Sequence, residues 1–275
     1  MKLYYSTYGM QKEDVFSALP RLRDMGYEGM EIAVTPGWPT DPMHFGGDQR
    51  SRLAALLIEL GFPTPPLMAL LSPCVTGEDR PAMLAQFAAT FDMAHHLRVS
   101  NEPAVVTTTL GHPKPAWDGE REAIIPLVSE VADMAAQRDV VLAIEPHAGG
   151  DFETPEKAVW LMEQTDHPHL KLNFDYSHFW VEGMDLSHCI ALNVPYAAHN
   201  HIKDGYVDDE GNVRYLLPGD GALDVSEYMR AVHAAGWDRY ICPEVTAQIW
   251  KQPEYDAWAT AQRCYDALDA ARRTL

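Results

Sequence analysis

Short apolar runs rich in β-branched residues alternate along the whole chain with longer segments whose apolar positions recur at helical spacing. KLYYS (2–6) predicts a first strand, and a helix follows over about 12–25, stopping at Gly26. YEGMEIAV (27–34) predicts the second strand. A loop rich in Pro and Gly then leads to a helix in SRLAALLIELG (51–61). The third strand is short, 67–71, because the prolines of PTPPL cannot donate to a ladder; its helix is PAMLAQFAATFDMAHHL (81–97). PAVVTTTL (103–110), VVLAIEP (140–146), LKLNFDYSH (170–178), AAHNHIKD (197–204) and RYICPEV (239–245) predict five more strands. Helices are expected over about 120–138, from a Thr154–Pro155–Glu156 start, over 186–192, over 226–235 after a long loop, and over 255–272.

Eight strand–helix units without a break in composition predict one (β/α)8 TIM barrel, a single domain over 1–275. The alternative is a doubly wound open sheet. Its phosphate loop would follow the first strand, yet that turn reads STYGMQ and lacks the GxGxxG needed for close approach to a pyrophosphate.

A barrel of parallel strands gathers its strand ends on one rim. Four successive runs end on Glu145, Asp175, His201 and Glu244. Three carboxylates and one imidazole make a site for a divalent metal. The oxygens favour Mn²⁺ or Mg²⁺, and the imidazole tilts the choice to Mn²⁺, Co²⁺ or Fe²⁺, with Zn²⁺ still open. An α-hydroxyketone could chelate such an ion through two oxygens, which would acidify the C–H between them.

Composition narrows the partners. With 40 acids against 21 bases the formal net charge is −19, which repels phosphate backbones and argues against nucleic acid. Cys74, Cys189, Cys242 and Cys264 form no CxxC pair and read as buried, reduced thiols. The start, MKLYYSTYGMQKEDVF, has no signal-like apolar run, and no stretch is long enough to span a membrane. A cytoplasmic protein without a membrane partner is expected, and a homo-oligomer is compatible with the sequence.

The motifs IEPH (144–147), NFDYSH (173–178), HNHIKD (199–204), PGDG (218–221) and PEV (243–245) together resemble the xylose-isomerase-like TIM barrels. The similarity is strongest to the sugar phosphate isomerase/epimerase group, which includes ketose 3-epimerases, hydroxypyruvate isomerases and inosose dehydratases. That resemblance implies a metal held by Glu145, Asp175, His201 and Glu244. It also implies Glu145 and Glu244 as acid/base groups on opposite faces of an enediolate, and a small keto-sugar or polyol as substrate. Isomerase or epimerase is the reading it implies first; an inosose- or 3-dehydroshikimate-type dehydratase uses the same proton abstraction. An arginine typical of 3-epimerases after the seventh strand is absent from KDGYVDDEGNVR, where Arg214 is distant, and no Ser/Gly/Arg phosphate cluster is present. An unphosphorylated substrate is therefore expected.

His178, His147 and Lys203 are the candidate substrate contacts. His178 could instead orient a ligand carboxylate, and Lys203 could pair with a rim acid. His199 shares parity with His201 one layer deeper and reads as a polar core residue. PGDG reads as a turn. Tyr8, Trp38, Trp117, Phe179 and Trp180 are aromatics that could wall a polyol, and His112 is a candidate contact in the fourth βα loop. An endonuclease-IV-like reading would need more histidines on the early strands and a basic face, and the chain has neither.

Overall fold

The computed structural model describes residues 1–111 and 116–275. His112 therefore lies outside the described residues. The strands are β1 (Lys2–Ser6), β2 (Gly29–Ala33), β3 (Leu67–Met68), β4 (Ala104–Thr109), β5 (Val140–Glu145), β6 (Leu170–Asp175), β7 (Ala197–Ile202), β8 (Asp204–Val207), β9 (Val213–Leu216) and β10 (Tyr240–Pro243). Eight of them close a parallel barrel in the order β1-β10-β7-β6-β5-β4-β3-β2, while β8 and β9 pair antiparallel as a separate hairpin. The (β/α)8 barrel is thus the fold.

In two of the helices a short polar side chain sets the start and a left-handed residue the stop. Asp14 accepts from the Ser17 N–H at 3.1 Å to open the helix Val15–Met25, which ends at Gly26 with φ 109°. Thr154 accepts from Lys157 N–H at 3.2 Å, with Pro155 in the first turn of the helix Pro155–Thr165. Alternate strand positions face outward: Leu3, Tyr5, Ile32, Leu142, Ile144, Leu172 and Phe174 are buried under the helices as the main apolar core.

The lumen is polar and layered. Tyr4 and Tyr240 stack at 4.0 Å at its base, and the Tyr240 hydroxyl lies 2.8 Å from His199 Nδ1. Above them Glu31, Thr107, Asn173, His201 and Cys242 are all buried. Glu145, Asp175, Lys203 and Glu244 top the stack, since parity along each strand puts every second side chain on this axis. The register sets Asp175 opposite His201, and His201 opposite Cys242, which brings residues distant in sequence to one level.

Three sequence expectations needed revision. The sixth strand stops at Asp175, not at 178, because Asp175 accepts from the Ser177 N–H at 2.9 Å and caps a helix, Tyr176–Val181. The long loop expected after β7 contains the β8–β9 hairpin. A short helix, Ala247–Trp250, follows β10 where none was expected. The PGDG segment does turn the chain: Asp204 Oδ2 accepts from the Gly221 N–H at 3.0 Å, and a Cβ at Gly221 would meet Asp204 Oδ1 at 2.5 Å. Asp204 of HIKD therefore anchors this loop while the preceding Lys203 turns into the lumen.

Candidate active site

Glu145 ends β5, Asp175 ends β6 and Glu244 follows β10, so their carboxylates meet at the C-terminal mouth of the barrel. Oxygens of these three acids and a ring nitrogen of His178 all lie within 4.8 Å of one another. Lys203, 1% exposed, inserts its ammonium among them: Nζ is 2.6 Å from Glu244 Oε2 and hydrogen-bonds Asp175 Oδ2. Burial alone would raise the Glu145 carboxyl, but the Lys203 ammonium and the neighbouring His178 and His201 rings hold it well below the usual range. Burial likewise opposes the Lys203 charge, and Asp175, Glu244 and Glu145 outweigh it and push its affinity for the proton up.

His201 stands one layer below. Its Nδ1 faces the acids, 3.2 Å from Glu145 Oε1 and 3.8 Å from Glu244 Oε2, while its Nε2 is 3.0 Å from both oxygens of Glu31. Burial opposes an imidazolium here, but the Glu31 charge and the surrounding hydrogen bonds override it, so proton affinity is raised well above an ordinary imidazole. A divalent ion at the acids would compete with that proton for Nδ1. His199 lies deeper still, consistent with a polar core role: its Nε2 is 3.1 Å from Glu31 Oε1.

His178 lies on the helix after β6. Its Nδ1 accepts from the Ala148 N–H at 3.3 Å and lies 2.6 Å from the Tyr215 hydroxyl. Its Nε2 is fully buried without a hydrogen-bond partner, 3.5 Å from Glu145 Oε2 and 4.0 Å from Asp175 Oδ2. A buried, unpartnered nitrogen aimed at two carboxylates is one sign that this donor set suits a cation. The others are three convergent carboxylates and an imidazole facing them.

β5 ends two residues before His147, yet His147 reaches the mouth: its ring packs 3.9 Å from that of His178. The residue is exposed at the rim, but desolvation of the ring against its neighbours and the adjacent His178 lower its pKa, which favours the neutral imidazole. Its Nδ1 lies 2.8 Å from the Ala148 carbonyl, which leaves Nε2 as the free acceptor.

These groups open into a cavity of about 440 Å³, whose lining includes Tyr8, Glu145, His147, Lys203, Tyr215 and Glu244. That size suits a small polar metabolite. Of the aromatics singled out in the sequence, Tyr8 lines the cavity and Trp38 stacks behind it at 5.3 Å. Phe179 is buried in the core, Trp117 packs against Phe152 at 5.5 Å, and Trp180 donates to the Gly205 carbonyl at 3.1 Å.

Sequence reasoning missed Glu31, Asn173 and Tyr215. Glu31 is an acid in the middle of a fully buried strand, which was a readable signal; Asn173 in LKLNFD was another. Tyr215 arrives on the β8–β9 hairpin, and nothing in its immediate sequence marks it.

The profile of xylose isomerase-like TIM barrels matches residues 19–268. The chain belongs to this family. An inosose dehydratase of Geobacillus thermodenitrificans is 26% identical over 152 residues, half of this chain and 51% of that protein. The aligned stretch thus spans about half the length of that relative. An inosose dehydratase of Lacticaseibacillus casei is 22% identical across 93% of this chain and 90% of its own. Among solved structures, the IolI protein with a bound zinc atom superposes with a TM-score of 0.79 at 18% identity, covering 98% of this chain and 99% of that one. A D-psicose 3-epimerase crystallised in the presence of D-fructose gives 0.78 at 14% identity, over 100% and 99% of the two chains. At these identities the structural likeness shows a shared fold. The described residues contain no helix long and apolar enough to cross a membrane, and all four cysteines are free and buried.

Proposed function

We propose that the chain is a metal-dependent isomerase or epimerase that removes and returns a proton at the carbon beside a ketone in a small sugar or polyol. The observation that carries this reading is the pair of buried carboxylates, Glu145 and Glu244, converging on one cavity beside the Lys203 ammonium, which pairs with Glu244 and Asp175. Glu145, Asp175, His201 and Glu244 would hold the divalent ion, with Mn²⁺ the first expectation and Mg²⁺, Co²⁺, Fe²⁺ or Zn²⁺ as alternatives. A bound ion would supply a Lewis acid that polarises the ketone.

The chain's own residues divide the remaining work. Glu145 and Glu244 take and return the proton from the two sides of the reacting carbon. Lys203 sets its ammonium where negative charge on an enolate oxygen develops, and as a pre-placed cation it needs no reorganisation. Its count also fits: three carboxylates and one ammonium leave a charge of −2, which one divalent ion neutralises. His178 and His147 face substrate hydroxyls, and Tyr215 fixes the ring of His178 through its Nδ1. Among the described residues around the cavity there is no cluster that would bind phosphate, so an unphosphorylated keto-sugar or inosose is the preferred class.

Dehydration is the second reading, supported by the similarity to inosose dehydratases over most of the chain. There the same base removes the proton, and His178, backed by the Tyr215 hydroxyl, would protonate a departing β-hydroxyl. Incubating the Mn²⁺-supplemented protein with a panel of free ketoses, ketoglycosides and inososes separates the two. Products of unchanged mass support isomerisation or epimerisation, loss of 18 Da (about one water) supports the dehydratase, and no turnover on any keto compound contradicts both.

A further inference from the structure

Among the described residues, those other than glycine with a positive φ are Leu70 at 46°, Asp139 at 53° and Asp166 at 44°. Aspartate tolerates this left-handed region because its short polar side chain can bond locally, and Asp166 uses it to close the helix Pro155–Thr165. A leucine gains nothing locally there, since its Cβ crowds the following carbonyl. Such a residue persists only where its surroundings over-determine it. Before Leu70, the Ala69 N–H donates to the Thr107 carbonyl at 3.0 Å, and Thr35 Oγ1 donates to the Ala69 carbonyl at 3.3 Å. After it, the Thr108 hydroxyl donates to the Leu71 carbonyl and the Ser72 hydroxyl to the Leu110 carbonyl. The chain is thus pinned to its neighbours on both sides of the strained residue.

What the strain secures is a position. Leu70 follows β3 and lines the cavity, with 36% of its surface exposed. Leu110 after β4 and Phe152 after β5 line the same sector, and Thr109 between them already accepts from the Gly111 N–H at 3.2 Å. In the closed order of strands β3 stands halfway round the barrel from β7, and β4 halfway round from β10. Leu70 and Leu110 therefore lie across the cavity from Lys203 and Glu244, so the cavity is charged on one side and apolar on the other. A hydroxyl set against Leu70 would give up water without gaining a partner, whereas a methyl group there leaves water at no such cost. We infer that Leu70 is a specificity-determining residue that takes an apolar end of the substrate. The preferred keto-sugar then ends in a methyl group, as in a 6-deoxyketose, where its parent sugar carries a hydroxymethyl group. The inference deepens the function proposed above and rests on that reading for the reacting end of the substrate.

The test pairs sugars that differ only at the end carbon: 6-deoxyfructose against fructose and 6-deoxytagatose against tagatose, in both enantiomeric series. The full-length, Mn²⁺-supplemented wild type should favour a 6-deoxy member by about tenfold or more in kcat/KM, mainly through KM. Leu70→Met keeps an apolar side chain and should keep that preference. Leu70→Asn suits the left-handed backbone and offers a polar group, so the preference should vanish or reverse. Its melting temperature should hold or rise by about 2–4 °C, because the strain is relieved. A melting temperature several degrees lower in Leu70→Asn would make Leu70 a packing residue and overturn the inference. Equal turnover of both members of every accepted pair by wild type also overturns it, and leaves the proposed function standing. The same holds if inososes or ketoglycosides are turned over while no member of any pair is accepted. No turnover of any keto compound overturns both.

Discussion

Lys203 Nζ lies 2.6 Å from Glu244 Oε2, both buried, at the point where three carboxylates converge. The ammonium pairs directly with Glu244 and Asp175, and at such burial a cation lost is a charge left unpaired. Replacing it therefore has opposite effects on fold and on metal. In Lys203→Met the metal-free protein should lose about 3–5 kcal/mol of stability, as for other broken buried pairs. Its affinity for Mn²⁺ should rise by about tenfold or more, since three carboxylates then face the divalent ion uncompensated. Thermal melts with and without Mn²⁺, read beside calorimetric titration, check both; weaker Mn²⁺ binding would mean that Lys203 helps to build the metal site.

Metal content tests the ligand set itself. Wild type purified under mild conditions should carry about one divalent metal per chain, and Glu244→Gln and His201→Ala should each lose most of it. Elemental analysis is the readout. Unchanged content in both variants would remove these residues as ligands.

His178 and Tyr215 form a pair, and their variants should behave as one. His178→Ala should lower kcat/KM by roughly 10²-fold or more with metal retained if the ring meets a substrate hydroxyl. Tyr215→Phe removes the hydroxyl 2.6 Å from His178 Nδ1 and should produce a smaller loss that is not additive with the first. Recovery of the His178→Ala rate at excess metal would assign the ring to holding a ligand carboxylate instead.

How much of this was readable from the chain depended on period and on caps. Glu145, Asp175 and Glu244 stood out because an apolar run of strand length ended on an acid each time, and barrel geometry alone carries such residues to one rim. His178 was found for the wrong local reason: its strand was extended through DYSH, although Asp175 two residues before Ser177 is a ready helix cap. Glu31 was hidden because a lone acid inside GMEIA has no meaning until β2 is placed beside the histidines of β7, which are 168 and 170 residues further on (199 − 31 and 201 − 31). The β8–β9 hairpin escaped notice because each arm has four residues, too few for alternation to register against the acidic turn DDEGN.

Asp41 gives a stability prediction away from the chemistry. It accepts from the N–H groups of Gly37 at 2.9 Å and Met43 at 3.0 Å and from Gln86 Nε2 at 3.0 Å, pinning the loop after β2. Partial burial would raise its carboxyl, but these donors prevail and lower it below the ordinary value. The unfolded chain then takes up this proton at a higher pH than the folded one. The stabilisation is present at neutral pH and is lost as pH falls through the lower, folded-state value. Asp41→Asn should cost about 1–2 kcal/mol at pH 7 and flatten the fall in stability on the acid side of the carboxylate range. Denaturant melts at pH 7 and at successively lower pH values measure both; parallel curves for wild type and variant would contradict it.

The central claim, proton removal beside a ketone by a buried carboxylate, is tested most directly by turnover in D₂O with the substrate that the panel identifies. Product or recovered substrate should carry one solvent deuterium at the carbon next to the carbonyl, and Glu145→Gln and Glu244→Gln should abolish or sharply slow its entry. Turnover in which the substrate keeps all of its own hydrogen at that carbon would contradict the account and point to a hydride shift.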